Sequence, residues 1–331
     1  MTMKGFNPKW KDLPDYIIGI TKEIWEDRGL STLNHYYTAD MIKRSPEAVL
    51  IGNRAVISES LGSMAAVPDL ALYGEDVIWS GDDTAGFLSS HRLMCVSTHS
   101  ADGYYGPPTG IVTRQRVIAD CACRDNAIYD EWLIYDSGAV TRQLGHHPRD
   151  FARTLIVTEG GPDACPKPFN PAMDVQGAYT GRGNDNEWGG RYVDLLHHII
   201  AGNFAVLPQV YDRAVQLELP GGVTTHGVTQ ADHFWLNLRA SFPDAVLNIE
   251  HVIGRDDPMM PPRAAVRWSL SGKHSGWGMF GAPSGAQVFV WGVSHAEFGP
   301  FGPDGMGLRR EFVIFDEVMI WKQIHLHTGA L

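Results

Sequence analysis

The chain is predicted to be an α+β protein built from two tandem copies of one domain. Two observations predict this. The second half repeats the first: Val67-Pro68-Asp69 returns 175 positions later as Phe242-Pro243-Asp244. His99 with Gly106-Pro107-Pro108-Thr109-Gly110 returns as His274 with Gly281-Ala282-Pro283-Ser284-Gly285. A period that long is a domain, not a solenoid unit of roughly 20–50 residues. Within each copy a helix-period stretch is followed by strand-period stretches, the order expected of an α+β domain. The expected limits are a first domain over 1–150, a linker rich in Pro, Gly and Asn over 151–186, and a second domain over 187–331.

The elements follow from local pattern. Ile17, Ile20, Ile24 and Trp25 fall at helical 3–4 spacing, and Leu33, Tyr36 and Tyr37 begin a second apolar stripe. A third helix follows Gly52 and stops before Pro68, because the residue preceding a proline disfavours helix. The second copy repeats this with Tyr192, Leu195, Leu196 and Ile199, then Leu207, Val210 and Tyr211, then a helix after Gly227. Stretches 70–77, 87–99, 113–124 and 128–135 are rich in β-branched and aromatic residues, bounded by Gly, Pro, Asn and Asp, and read as strands. Their counterparts are 246–253, 264–274, 287–296 and 311–321. Matching Asp130-Glu131 to Asp316-Glu317 requires an insertion of about eleven residues around 297–307.

Composition narrows the function classes. A formal charge of -11 without clustered Lys and Arg argues against nucleic acid as a partner. No apolar run approaches the roughly 20 residues of a membrane helix, and the first sixteen residues lack the apolar core of a signal peptide, so a cytoplasmic location is expected. Cys95, Cys121, Cys123 and Cys165 read as buried reduced thiols, since the C-x-C spacing lacks a second ligand pair for zinc. No metal set and no phosphate or dinucleotide loop is recognisable, and no cofactor is expected.

Three helices, a Pro-Asp step, a strand ending in Thr98-His99, the Gly-x-Pro-Thr-Gly loop and a hairpin into Asp130-Glu131-Trp132 occur in that order. This series resembles the SnoaL-like polyketide cyclases of the nuclear-transport-factor-2-like (NTF2-like, cystatin-like) superfamily, in a tandem two-domain form. The resemblance implies two cone-shaped domains, each with N-terminal helices packed on a curved antiparallel sheet. It implies for the first cone a cofactor-free ring closure by an acidic general acid/base. Fold alone does not choose a reaction, and the site must.

Positions where the copies differ point to the site. His91 and His99 share one strand face, and His91 stands where the second copy has Val266. His99 occurs in both copies beside the Gly-Pro loop, which equally suits a structural histidine. Trp132 and Asp136 are read against Val318 and Lys322, and Asp120 against His295. Asp136 or Glu131 is the expected general acid/base, with His91 and His99 orienting substrate or polarising a carbonyl. Trp132, Asp120, Arg92, Tyr104, Tyr105 and Asp130 are the expected substrate contacts. Asp130, Trp132 and Asp136 share one strand face and Glu131 and Tyr135 the other; which one is inward stays open.

The expected function is thus a cofactor-independent cyclase, isomerase or lyase acting on a small carbonyl or aromatic ester-like molecule. Two alternatives are a non-catalytic protein that binds a small apolar ligand or supports an assembly, and a hydrolase or dehydratase on the same cone. A homodimer of the fused pair is a further expectation.

Overall fold

Backbone pairing sorts the strands into two six-stranded sheets, one in each copy. A computed structural model describes residues 3–303 and 305–330; Asp304, within the expected insertion, lies outside the described residues. In the first copy α1 (Leu13–Thr21) begins at Asp12, whose side chain accepts the Asp15 N–H. It buries Leu13, Tyr16, Ile17 and Ile20. After a short α2 (Leu33–Tyr36) come β1 (Tyr37–Arg44), β2 (Val49–Ile51) and α3 (Asn53–Ala66). Then follow β3 (Ala71–Asp82), β4 (Gly86–Thr98), β5 (Val112–Arg124), β6 (Ala127–Tyr135) and α4 (Ser137–Gln143). Sheet order is β2-β1-β6-β5-β4-β3.

The chain continues through α5 (Pro148–Thr158) into the second copy: α6 (Glu187–Ile200), α7 (Leu207–Val210), β7 (Tyr211–Leu219), β8 (Val223–His226) and α8 (Val228–Ser241). It ends with β9 (Val246–Arg255), β10 (Arg263–Lys273), β11 (Gln287–Gly302), β12 (Gly305–Phe315) and α9 (Glu317–Thr328). The order β8-β7-β12-β11-β10-β9 repeats the first sheet strand for strand.

Four expectations need correction. The sheets are mixed rather than antiparallel, because β1 runs parallel to β6 and β7 parallel to β12. Tyr37 opens a strand rather than continuing a helix; the buried run Met41–Arg44 has no period-two alternation to betray it. The stretch 311–321 is not one strand: β12 ends at Phe315, and Asp316 caps α9 by accepting the Val318 and Met319 N–H groups. The register then shows that Asp130-Glu131 does not correspond to Asp316-Glu317. Glu131 pairs with Cys121 and Lys43, and Glu311 with Ala296 and Leu217. Glu131 therefore matches Glu311, Trp132 matches Phe312 and Asp136 matches Asp316, all 180 positions apart. Much of the extra length pairs as strand, with Phe298 opposite Leu308 and Gly299 opposite Gly307.

The chain divides into two compact units that exchange short segments. The first takes residues up to Tyr135, Ala139–His146 and Phe169–Gly181; the second takes Asp136–Gly138, His147–Pro168 and everything from Arg182. The stretch expected as a linker is thus divided, with α5 in the second unit and 169–181 laid along the first. That strap is held by Arg44, which is 2% exposed. Arg44 Nη1 donates to Asp130 Oδ1 at 2.7 Å and Nη2 to the Val175 carbonyl at 2.7 Å, while Nε pairs with Asp174. Asp130 Oδ2 accepts the Tyr179 N–H at 2.8 Å. Gly177 passes so close to this carboxylate that a Cβ there would lie 2.3 Å from its oxygens.

Removing one member of a buried charge pair strands the other out of water, at about 3–5 kcal/mol. Arg44→Met is expected to destabilise the first unit by about that much, lowering its unfolding midpoint, and to expose 169–181 to protease. Asp130→Asn added to Arg44→Met is expected to recover part of the loss, which thermal melts of both variants will read.

Candidate active site in the first unit

Strand alternation decides which side chains meet the interior of the first unit. On β4, His91, Leu93, Cys95 and Ser97 face a cavity of about 600 Å³; on β5, Thr113, Gln115, Val117, Ala119 and Cys121 do; on β6, Glu131, Leu133 and Tyr135 do. Thr21 and Trp25 line it after α1, Glu59, Ser60 and Ser63 from α3, and Lys43 from β1. His99, Tyr104 and Tyr105 close one end.

The same alternation turns five expected residues away. Arg92, Asp120, Asp130 and Trp132 occupy the intervening positions and do not line the cavity. Arg92 Nε donates to Glu75 Oε2 at 2.8 Å, as Arg267 pairs with Glu250 in the second copy. Asp130 and Trp132 serve the strap, with the Arg44 guanidinium 4.9 Å above the Trp132 ring. Asp120, 1% exposed, is buried opposite Ser90 and Trp132. Asp136, the first-named acid/base candidate, stands outside the cavity. Its two oxygens accept the N–H groups of Gly221 and Gly222 at 2.8 and 2.9 Å, a structural role matched by the helix-capping Asp316.

Glu131, His91, His99, Tyr104 and Tyr105 do line the cavity. Burial pushes the Glu131 carboxyl up to about 7, although the neighbouring Lys43 charge pulls the other way. It accepts a weak hydrogen bond from the Cys121 thiol at 3.7 Å. Lys43 is its register partner across the parallel β1–β6 pair and forms an ion pair with Glu59. Burial alone would lower the Lys43 pKa, but Tyr135, Glu59 and Glu131 outweigh it and hold the group above its ordinary value. Lys43 is therefore an ammonium and not a nucleophilic amine. The thiols are no better as nucleophiles, since burial drives Cys95 to about 12 and Cys121 well above its ordinary value.

His91 sits between Val77 and Ala119 in the sheet, with Ser89 Oγ 3.2 Å from its Nδ1. Burial lowers its pKa to about 4, so the ring is neutral near pH 7. His99 Nδ1 lies 3.1 Å from Thr109 Oγ1, and its backbone carbonyl accepts the N–H groups of Thr109 and Gly110. His99 thus pins the Gly-Pro loop, as the structural reading expected. Its Nε2, however, is buried without a protein partner.

Comparison of the copies explains why this unit is hollow. Positions 175 apart are Ser60 and Trp235, Glu59 and Phe234, Ser63 and Leu238, Val67 and Phe242, Leu93 and Trp268, Tyr105 and Phe280. The second-copy members are all buried, and Trp235, Trp268, Phe242 and Phe280 are each 1% exposed. Gly292 lets Trp268 lie flat on β11, where a Cβ would meet the ring at 2.3 Å; the first copy has Val117. Sequence reasoning missed Lys43 and Glu59 because it compared the copies only along the later strands. For Glu59 the signal was present in Phe234; for Lys43 it was not, because the 175 spacing sets it against Glu218 and only the strand register matches it to Leu217.

Among the described residues no group of three or more His, Cys, Asp or Glu side chains gathers to hold a metal, and no helix is long and apolar enough to cross a membrane. A histidine whose folded pKa lies below its ordinary 6.5 contributes stability above that pH and loses it as pH falls towards 4. The loss is on the order of 3 kcal/mol across that window. His91→Val, the residue of the second copy, is expected to flatten this part of the acid-stability curve. Urea midpoints at pH 7 and 4.5 that fall equally in both proteins would contradict it.

The SnoaL-like polyketide cyclase family matches residues 16–144, and a SnoaL-like domain matches residues 191–300. Among solved structures the chain is similar to IdmH from Streptomyces antibioticus, at 22% identity over 40% of this chain and 97% of that one, with a TM-score of 0.36. It is also similar to a SnoaL-like polyketide cyclase from Agrobacterium tumefaciens, at 18% identity over 41% of this chain and 99% of that one, with a TM-score of 0.34. TsrD from Streptomyces laurentii is matched at 18% identity over 41% and 98%, with a TM-score of 0.35. No curated protein matches the chain. Two family matches on two sheets of one strand order identify the chain as a tandem of SnoaL-like domains with the NTF2-like α+β fold.

Proposed function

We propose that the first unit catalyses cofactor-independent proton transfer at carbon next to a carbonyl, leading to ring closure or isomerisation of a small, mostly apolar substrate. The observation that carries this reading is Glu131, a carboxyl with pKa about 7 lining a roomy apolar cavity beside a permanent ammonium. A general base is most effective with a pKa near the working pH, and one near 7 combines basicity with a useful ionised fraction at neutral pH.

In this mechanism ionised Glu131 removes the proton α to the substrate carbonyl. The Lys43 ammonium faces the oxygen on which negative charge develops, where an already oriented charge in a low-dielectric site is most effective. Glu59 holds Lys43 in place, and Glu131, now protonated, returns the proton to the product. His91 contributes as a neutral ring that shapes the wall near Leu133, and Tyr135 supplies a hydroxyl beside Lys43. In a SnoaL-like cyclase the enolate would attack a second carbonyl of the same molecule, an aldol closure that needs no external oxidant or reductant.

The test is deuterium uptake at the α-carbons of dodecan-2-one in D₂O, followed by proton NMR. Wild-type protein is expected to accelerate exchange, with a rate that rises with pH and levels off above about 7 as Glu131 ionises. Glu131→Gln is expected to lose roughly 10²–10⁴-fold, the worth of a positioned base, and Lys43→Met roughly 10²–10³-fold. Exchange that Glu131→Gln leaves intact, or a wild-type rate equal to buffer, refutes the mechanism. Asp136→Asn is expected to leave the rate unchanged.

A further inference from the structure

Two polar groups stand apart along the sheet wall of the cavity, and only one of them takes part in the proton transfer above. Glu131, Lys43 and Glu59 form the first. The second is six residues along β5 from Cys121, the register partner of Glu131, which is roughly 20 Å of extended strand. There Gln115 Nε2 donates to the Tyr105 hydroxyl at 3.2 Å, and His99 presents its unpartnered Nε2. Between them the sheet contributes Leu93, Val117 and Leu133, while Ser60 and Ser63 line the cavity from α3.

Thr109 Oγ1 accepts the Ile111 N–H at 3.3 Å, so its own hydrogen can turn to His99 Nδ1. In the tautomer that accepts this hydrogen at Nδ1, Nε2 carries the ring proton. A buried N–H donor without a partner is unfavourable, and an oxygen placed in the cavity would satisfy it.

The second unit shows the same histidine with no such group. His274 Nδ1 lies 2.9 Å from Ser284 Oγ, and its Nε2 is also unpartnered. Its ring is packed by Phe242 at 5.7 Å and Phe280 at 6.4 Å. The first unit has Val67 and Tyr105 at those two positions, and Gln115 where the second has Val290. In the hollow copy the shared loop-pinning histidine thus loses the Phe242 ring to Val67, gains a hydroxyl where Phe280 stood, and has Gln115 nearby.

We propose that the ligand of the first unit is an elongated, uncharged molecule with hydrogen-bonding groups at both ends and an apolar middle. Its far end carries an oxygen that accepts the His99 Nε2 hydrogen, and Gln115 and Tyr105 complete that subsite. His99 is therefore a specificity residue in addition to its structural role. The assignment of the reacting carbonyl to the Glu131 end rests on the proposed function; the subsite does not.

The test compares dodecan-2-one with 12-hydroxydodecan-2-one, which adds a hydroxyl at the far end. Isothermal titration on the full chain is expected to show the hydroxyketone binding about tenfold more tightly, the worth of one well-made hydrogen bond to a group otherwise unpaired. His99→Phe is expected to abolish the preference. Because His99 also pins a loop, the double variant Gln115→Val/Tyr105→Phe, which carries the residues of the second copy, provides an independent reading and is expected to reduce the preference at least threefold. Equal affinity of the two ketones for wild-type protein, no binding of either, or a preference that survives in both variants overturns the proposal. A preference that His99 controls, found without any α-deuterium exchange, leaves the subsite standing and removes the Glu131 mechanism alone.

Discussion

The chemistry proposed for the first unit depends on a carboxyl group kept from water beside one fixed ammonium. Glu131 and Lys43 are register partners on parallel strands, so their proximity is set by the sheet and not by flexible side chains. Burial favours the neutral acid and Lys43 the ionised one, and burial prevails enough to leave the group near 7. If Glu131 were exposed it would titrate as an ordinary carboxylate; without Lys43 it would stay protonated to higher pH. The ion pair with Glu59 keeps Lys43 charged in a site that would otherwise expel its proton.

The second copy shows what the same sheet does when it is packed for stability. Glu311 holds the equivalent position and is raised to about 7 by the same burial. There the oxygens accept the Tyr192 and Tyr211 hydroxyls at 2.7 and 2.8 Å, with Leu217 in place of Lys43. Its surroundings are filled by Trp235, Trp268 and Phe315. A buried carboxyl is therefore a property of the fold in both halves. What separates the satisfied Glu311 from the cavity-lining Glu131 is the loss of the large rings and the arrival of a cation.

The expected site residues that do not line the cavity share one physical explanation. Buried charge is tolerated where it is paired, and the outer face of the first sheet pairs its charges thoroughly. Arg44, Asp130 and Asp174 clamp the 169–181 strap, while Arg92 and Arg116 share Glu75. Asp136 is spent on two backbone N–H groups. Ionisable residues flanking a site in sequence are as often the fastening of the fold as part of its chemistry, and one position of strand alternation separates the two.

The duplication, the α+β class, four of the six strands in each copy and the family were legible in the sequence, because each rests on local period or on motif order. The contrast of His91 with Val266 was legible for the same reason, since the 175-residue spacing holds without a gap through β4 and β10. The parallel β1–β6 pairing was not legible, because β1 lacks alternation and its partner is more than 80 residues away. That pairing brings Lys43 to Glu131, fixes which of two adjacent acids faces inward, and resets the match of Glu131 to Glu311 that an assumed insertion had displaced. Sequence by itself determined which residue types each copy keeps or loses; only the tertiary structure decided which of them share a cavity, because long-range strand register cannot be deduced from local periodicity.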